Sequence, residues 1–492
     1  MSDTSSPSQP SSTGTQGIAC PPIASADIDA SCRLPLVVLF LCAAVWLLIG
    51  SAFALIASLK FHAPGFLADC AWLTYGRVRP AYLNCLLYGF GLQTGLGVAL
   101  WLLARLGRTP LAQPWLVVVG TLLWNAGVKL GIFGILSGDS TGFEGLEMPG
   151  YAAWIIMLGY LVIGLSGVLT FHQRRERPLF VSQWLILAAL FWFPWIYATA
   201  ELLLVAFPVR GAAQVAICGY YQASLGMTWL PLAGLAAIFY FIPRLTRAEL
   251  HSRYLALFAF WVLILFGGWT GIANSAPLPA WMPALSTVAT MLMAVPLVAV
   301  ALNVHRTLAG KWSMVAANPP LQFIVVGSIA FLLAGLMKIA CVAIDTTCPV
   351  GLTWLTPAQA QLNAYGFFAL VMFGAVYTIL PQVTRVEFPS TRLVRAHFRL
   401  ALLGLLLTVA PLAMAGIVEA RRLPDPGIAF MAVVKSTLPF LRASTMGDLL
   451  LALGHVLFLV NIAGWALRFY RPRVAAAYAA ATADLSALEA KS

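Results

Sequence analysis

The sequence predicts an all-α polytopic membrane protein with about 12 transmembrane helices. Three observations predict it. Hydrophobic residues make up 61% of the 492 positions and charged residues only 9%. Mean hydropathy is +0.88, so the bilayer is the solvent for most of the chain. Apolar runs of about 20 residues, the length that crosses the hydrocarbon, recur from Leu34 to Phe469. No long polar segment remains to build a large domain outside the membrane.

Residues 1–33 are rich in Ser, Thr, Pro and Gln and lack an apolar face, so a disordered cytoplasmic tail is expected there. No short apolar run with a cleavage site follows a basic start, and no signal peptide is expected. The membrane domain is expected over 34–473. Its spans read as 34–59, 82–105, 114–138, 150–172, 180–206, 212–243, 254–275, 282–305, 320–343, 357–381, 398–418 and 445–469. The sixth run is long for one span, which tilt would accommodate. Pro357 and Pro381 mark the start and end of the tenth. Residues 474–492 are expected to form a cytoplasmic C-terminal tail.

The net charge of +12 does not indicate nucleic acid. Lys and Arg sit in short loops between apolar runs, among them Arg174, Arg175 and Arg177, then Arg244 and Arg247, then Arg385 and Arg392. They alternate with acidic or uncharged loops such as 139–147. This positive-inside pattern places both termini in the cytoplasm of a bacterial inner membrane. Two outer loops break it, with Arg77 and Arg79 in the first and Arg421, Arg422, Lys435 and Arg442 in the last.

Eight cysteines are spread singly, with no CxxC or CxxCH. Covalent c-type heme and zinc-finger readings have no support. Cys42, Cys85 and Cys218 read as small core residues. Cys70 and Cys348 fall in outer loops, where a bridge is conceivable. Trp115, Trp281 and Trp465, near span ends, read as interfacial belts. Lys129 and Lys338 lie within spans, where a midplane charge costs about 2.5–3.5 kcal/mol. Either they face the interior and pair with an acid such as Glu201 or Asp345, or they snorkel to the interface. Dinucleotide-binding, P-loop, zincin and Ser-His-Asp patterns are absent.

The segment Trp72-Leu73-Thr74-Tyr75-Gly76-Arg77-Val78-Arg79-Pro80 and the tenth span carry a resemblance. So does the end of the sixth span, Ile238-Phe239-Tyr240-Phe241-Ile242-Pro243-Arg244. Together they resemble the catalytic subunit of heme-copper oxidases, most closely the cbb-type, from Leu34 to Arg473. That family reads W-L-[TS]-[YF]-G-R-[LV]-R-P before its second helix and Y-Y-F-V-P-K at the end of its sixth. Its fold is a twelve-helix bundle in three arcs around three pores, two of them filled by heme.

The family's ligand histidines do not recur. After the first motif the family has L-H-T-N, whose His is an axial ligand of the low-spin heme; here the residues are Ala81-Tyr82-Leu83-Asn84. The tenth helix should carry His-x-His for two heme irons; here it carries Gln359-Ala360-Gln361. The copper ligand of Y-G-H-N lands on Ala223 in Tyr221-Gln222-Ala223-Ser224. The His-His pair lands in Gly271-Ile272-Ala273-Asn274, and the active-site tyrosine on Gly267. Of six histidines, only His455 lies within a span, where the family has no ligand and an interior or interfacial polar residue is expected. His172, His251, His305 and His397 are expected in cytoplasmic loops or helix ends, and His62 in an outer loop.

Imidazole suits both metals, alanine offers no donor, and glutamine is a weak neutral one. Tyrosinate does hold ferric heme in catalase-type sites, so Tyr82 stays a candidate ligand. The expectation is therefore a member without metals or other cofactors, although heme b and copper belong to the family. It would be a non-catalytic subunit, or an assembly or regulatory paralogue, working beside other respiratory subunits including a cytochrome c-type one. If heme is retained, Tyr82, Gln359, Gln361, Arg77, Arg79 and Arg442 are the candidate contacts. The alternatives are a divergent cytochrome c oxidase or nitric oxide reductase with relocated ligands, and a transporter or channel using the emptied pores.

Overall fold

The computed structural model describes residues 24–274, 276–345 and 350–489, which are helical with short connections and form no strand. Among the described residues, twelve long helices follow one another: α1 Ser25–Lys60, α2 Tyr75–Gly107, α3 Pro114–Ser137, α4 Gly150–His172, α5 Val181–Ala206, α6 Ala212–Thr246, α7 Arg253–Trp269, α8 Trp281–Leu308, α9 Pro319–Ile344, α10 Leu355–Thr384, α11 Thr391–Arg422 and α12 Phe430–Glu489. Among the described residues, eleven are long and apolar enough to cross a membrane; α7 is shorter. Each expected span has a matching helix among the described residues, but the seventh stops at Trp269, short of the expected end at 275.

Burial sorts them. The apolar stretches of α2, α6 and α10 are 89%, 83% and 83% buried, against 39–50% for the other long helices. Those three are the inner helices. The rest expose large apolar side chains such as Phe133, Trp195 and Leu333 on one face, as expected where lipid replaces water. The most extensive helix pairing is α11 with α12, and α1 packs along α12, α2 and α10.

Several expected boundaries move. α1 begins at Ser25, so the end of the expected N-terminal tail belongs to the bundle. Asp29 lies 3.5 Å from the Arg105 guanidinium and accepts from Trp101 Nε1 at 3.2 Å. The first 23 residues lie outside the described residues, as does Cys348 of the conceivable bridge. α2 begins at Tyr75 rather than 82, so Gly76 to Pro80 form its first turns, with Pro80 inside the helix. α12 runs on to Glu489. Trp465 is buried and donates to the Val386 carbonyl at 3.1 Å, so it is no interfacial anchor, whereas Trp115 and Trp281 are exposed.

His397 also departs from expectation. It is fully buried on α11 among Phe323, Phe373 and Phe458, with its Nδ1 3.1 Å from the Tyr377 hydroxyl. Ser390 caps the helix by accepting from Leu393 N. α11 thus starts inside what reads as a basic loop.

Candidate functional site

Tyr82, Ala223 and the pair Gln359/Gln361 stand on the three inner helices. Each position is followed closely by a π-helical stretch: 85–91 in α2, 224–229 in α6 and 362–369 in α10. A π turn re-aims the side chains on either side of it, and such turns concentrate at functional sites. A fourth, 201–206, ends α5.

A cavity of about 710 Å³ opens between α1, α2, α10, α11 and α12. Its volume falls within the roughly 300–1,000 Å³ of small-molecule and cofactor sites. Tyr82 lines it from α2 and Gln361 from α10, with Ser51, Tyr365, Asp448 and His455 also in the wall. The two glutamines separate here. Gln361 faces the cavity, while Gln359 is buried against α9 and donates to the Ala334 carbonyl at 3.3 Å.

The polar groups of this wall are not equally free. His455 is 3% exposed. Its Nδ1 lies 2.6 Å from Ser51 Oγ and its Nε2 2.8 Å from the Tyr365 hydroxyl, so both ring nitrogens are engaged. It is an interior residue joining α1, α10 and α12. An Asp448 oxygen accepts from Thr408 Oγ1 at 3.4 Å. The Tyr82 hydroxyl and the Gln361 amide have no hydrogen-bond partner among the described residues.

The arginines divide likewise. Arg79 lines the cavity and lies 3.6 Å from Glu144. Arg77 turns away and donates to the Leu136 carbonyl at 3.1 Å, and Arg442 is exposed outside the cavity wall. Only Arg79 of the three candidates reaches the site. Of the lysines, Lys129 is exposed, which favours the snorkelling reading over interior pairing. Lys338 forms no ion pair with Glu201 or Asp345 among the described residues. Glu201 is 1% exposed with both carboxylate oxygens unpartnered.

Beside the cavity, Asn84 donates from Nδ2 to Glu147 Oε2 at 2.8 Å, and Gly145 N donates to the same oxygen at 2.9 Å. Burial nevertheless holds the Glu147 carboxyl above its ordinary value of 4.5, with the Asn84 bond opposing the shift. A carboxyl raised in the folded state costs nothing while protonated and destabilises the fold once both states ionise. Stability in detergent should therefore fall as pH rises through and above the ordinary carboxylate range. The Glu147→Gln variant, which can still accept both bonds, should lose part of that fall in a pH series of melting temperatures.

The copper positions are different in kind. Ala223 is buried, and a Cβ on Gly271 would lie 2.7 Å from the Ala223 Cβ and overlap the Gly219 carbonyl oxygen. The chain at 271 is thus pressed backbone to backbone against α6. On the neighbouring side, Phe331 meets Phe367 with ring centroids 4.9 Å apart, and the space left beside Met227, Phe331 and Asn363 is about 10 Å³. Among the described residues, no three His, Cys, Asp or Glu side chains group to hold a metal.

Comparison with known proteins agrees with this architecture. The family described as Cytochrome C and Quinol oxidase polypeptide I matches residues 35–450. A bacteroid cytochrome c oxidase subunit 1 homolog from Bradyrhizobium diazoefficiens is 26% identical over 444 residues, covering 85% of this chain and 79% of the relative. A cbb3-type cytochrome c oxidase subunit, CcoN1, from Stutzerimonas stutzeri is 24% identical over 443 residues, covering 87% and 92%. A solved heme-copper terminal oxidase dimer aligns with a TM-score of 0.69 at 13% identity, over 88% of this chain and 84% of that one.

These matches overturn the expectation of a chain without cofactors, since the matched family and its named members are oxidase subunits. The residues present fit a heme in the 710 Å³ cavity, where Tyr82 and Gln361 offer oxygen donors that nothing else occupies. A heme bound there supplies an iron centre for one-electron chemistry or ligand binding. The residues around Ala223 do not fit a copper ion: they offer neither imidazole nor room.

Proposed function

Because this chain belongs to the cytochrome c and quinol oxidase polypeptide I family, we propose that it serves as a membrane subunit of a respiratory complex and does not itself reduce oxygen. The observation that carries this reading is the closed backbone contact between Gly271 and α6 at Ala223. Oxygen reduction in this fold needs a second metal facing the heme iron, and side chains with donor atoms must hold it. An assembly, scaffolding or regulatory role follows, in a bacterial inner membrane with both termini cytoplasmic, as the loop charges favour. The relatives' names, as subunits of cytochrome c oxidases, support partners of that kind, including a cytochrome c-type subunit.

The test is an oxygen electrode. The detergent-purified chain, supplied with reduced cytochrome c or a quinol, should consume no oxygen above the rate of an empty-detergent control. Sustained turnover by the purified chain would reject the reading and favour a divergent oxidase with relocated ligands.

A further inference from the structure

We propose that Glu201 is a proton-binding site inside the bundle, loaded and unloaded through the paired hydroxyls of Tyr88 and Tyr221 where they meet the 139–147 loop. Glu201 opens the π-helical stretch 201–206 that ends α5. A Cβ on Gly150, just past that loop, would lie 3.5 Å from Val205 of the same stretch, so α5 ends beside the loop. Glu201 is 1% exposed, and neither carboxylate oxygen has a hydrogen-bond partner. Among the described residues no Arg, Lys or His pairs with it, and α4, which also packs on 201–206, adds no titratable group there. An ionised carboxylate left alone in such a wall is strongly disfavoured, so the group holds a proton. An ionisable side chain inside a membrane bundle is costly to keep and marks a use by default.

The titratable groups that face Glu201 are phenols. Tyr197 precedes it by four residues on α5, about one turn, and shares its face. Tyr221 on α6 and Tyr88 on α2 lie within its electrostatic reach. All three tyrosines are 1% exposed. The Tyr197 ring centroid lies 5.9 Å from that of Tyr88 and 6.4 Å from that of Tyr221. The Tyr88 and Tyr221 hydroxyls are 2.6 Å apart, and Tyr88 donates to the Gly145 carbonyl at 2.5 Å, which leaves Tyr221 to donate to Tyr88. Gly145 is half-buried at φ +83°, where its missing side chain lets the loop lie on the Tyr221 ring. Its neighbour Glu144 is exposed. Hydroxyl oxygens thus succeed one another from a buried carboxyl to a loop in contact with solvent.

Exchange needs no redox partner. The Glu201 O–H bond breaks and its proton passes to a phenol oxygen. That phenol gives its own proton to the next oxygen, and one proton leaves to solvent beside Gly145. Each tyrosine ends neutral, as it began, and only Glu201 changes charge. Water bridges wherever two hydroxyls stand beyond direct contact. Uptake runs the same steps in reverse. The path uses none of the positions matched to heme or copper ligands, so it gives a subunit that does not reduce oxygen a response to the proton concentration at that end of the bundle.

The experiment is infrared spectroscopy of the full chain in detergent, moved rapidly from light to heavy water. A protonated-carboxyl C=O band should be present and should vanish in Glu201→Gln, which assigns it. Its downshift in heavy water then times proton exchange at Glu201. Tyr88→Phe and Tyr221→Phe should each slow that exchange about tenfold or more, as removal of a positioned proton-transfer group does. Tyr377→Phe, buried elsewhere against His397, should leave it unchanged. Loss of packing would open the bundle and speed exchange, so slowing cannot come from damage. The absence of any band lost in Glu201→Gln, or a rate that either tyrosine variant on the path fails to slow, would overturn the inference. The oxygen electrode reads the proposed function and the carboxyl band reads this site, so either can fail without the other.

Discussion

Replacing Gly447 with leucine is expected to be among the most damaging single changes in the bundle. Gly447 on α12 faces Thr408 on α11, and a Cβ at 447 would lie 2.5 Å from the Thr408 backbone nitrogen. One turn along, a Cβ on Gly404 would lie 2.9 Å from the Leu451 backbone nitrogen. The two helices therefore touch backbone to backbone through reciprocal glycines. In lipid, helix association depends on such close approach because no hydrophobic force separates lipid-facing from helix-facing surface. A side chain at 447 cannot be relieved by rotating a neighbour, since the obstacle is main chain. Overpacking of this kind costs about 1–3 kcal/mol, and more when backbone must move. The consequence reaches the site: α12 carries Asp448 and His455 in the cavity wall, and both would shift with it. Thermal unfolding in detergent should show a clear drop for Gly447→Leu and a smaller one for Gly447→Ala. Gly164→Leu, whose added Cβ would meet nothing nearer than 3.9 Å, is the control and should be close to neutral. Equal melting temperatures for Gly447→Leu and the control would sink the argument.

What could be read in the sequence divides along a physical line. Hydropathy reports solvent, so each long helix was visible as an apolar run, though not its ends. It does not report which face of a helix points where. The sequence placed Gln359 and Gln361 side by side as one pair of vacated positions, but only the fold shows that one is bonded to α9 and the other faces a cavity. The π stretches after Asn84, Ala223 and Gln361 depend on hydrogen-bond register, which leaves no compositional trace. Tyr75 to Pro80 looked like a loop because its two arginines interrupt the apolar run and glycine and proline are poor helix formers, yet tertiary contact, including Arg77 to the Leu136 carbonyl, holds them helical. His397 looked peripheral because Arg392, Arg395 and Arg399 surround it, although its helical position turns it inward. The missing histidines were legible in full. Their meaning was not, because a vacated ligand position leads to opposite outcomes when the volume beside it closes and when it stays open.

That difference supports a second prediction of large effect. The double variant Tyr82→His/Gln361→His should bind hemin as a low-spin heme with two imidazole ligands. Both changes put a ring of similar or moderate size into a wall that already holds a free side chain and faces about 710 Å³, so neither overpacks. Visible and electron paramagnetic resonance spectra would show the change of spin state directly; a spectrum that stays high-spin would mean the two positions do not oppose each other across the macrocycle. Ala223→His should behave in the opposite way. Its imidazole has nowhere to go but into the chain at Gly271, which already touches α6, and no histidine stands in 271–274 to complete a copper site. The variant should lose stability and gain no oxygen consumption, alone or combined with the double variant. If restored imidazoles at 82 and 361 recover a heme spectrum while a restored imidazole at 223 recovers nothing, then the two vacated sites have diverged physically, one remaining an open socket and the other a packed helix contact.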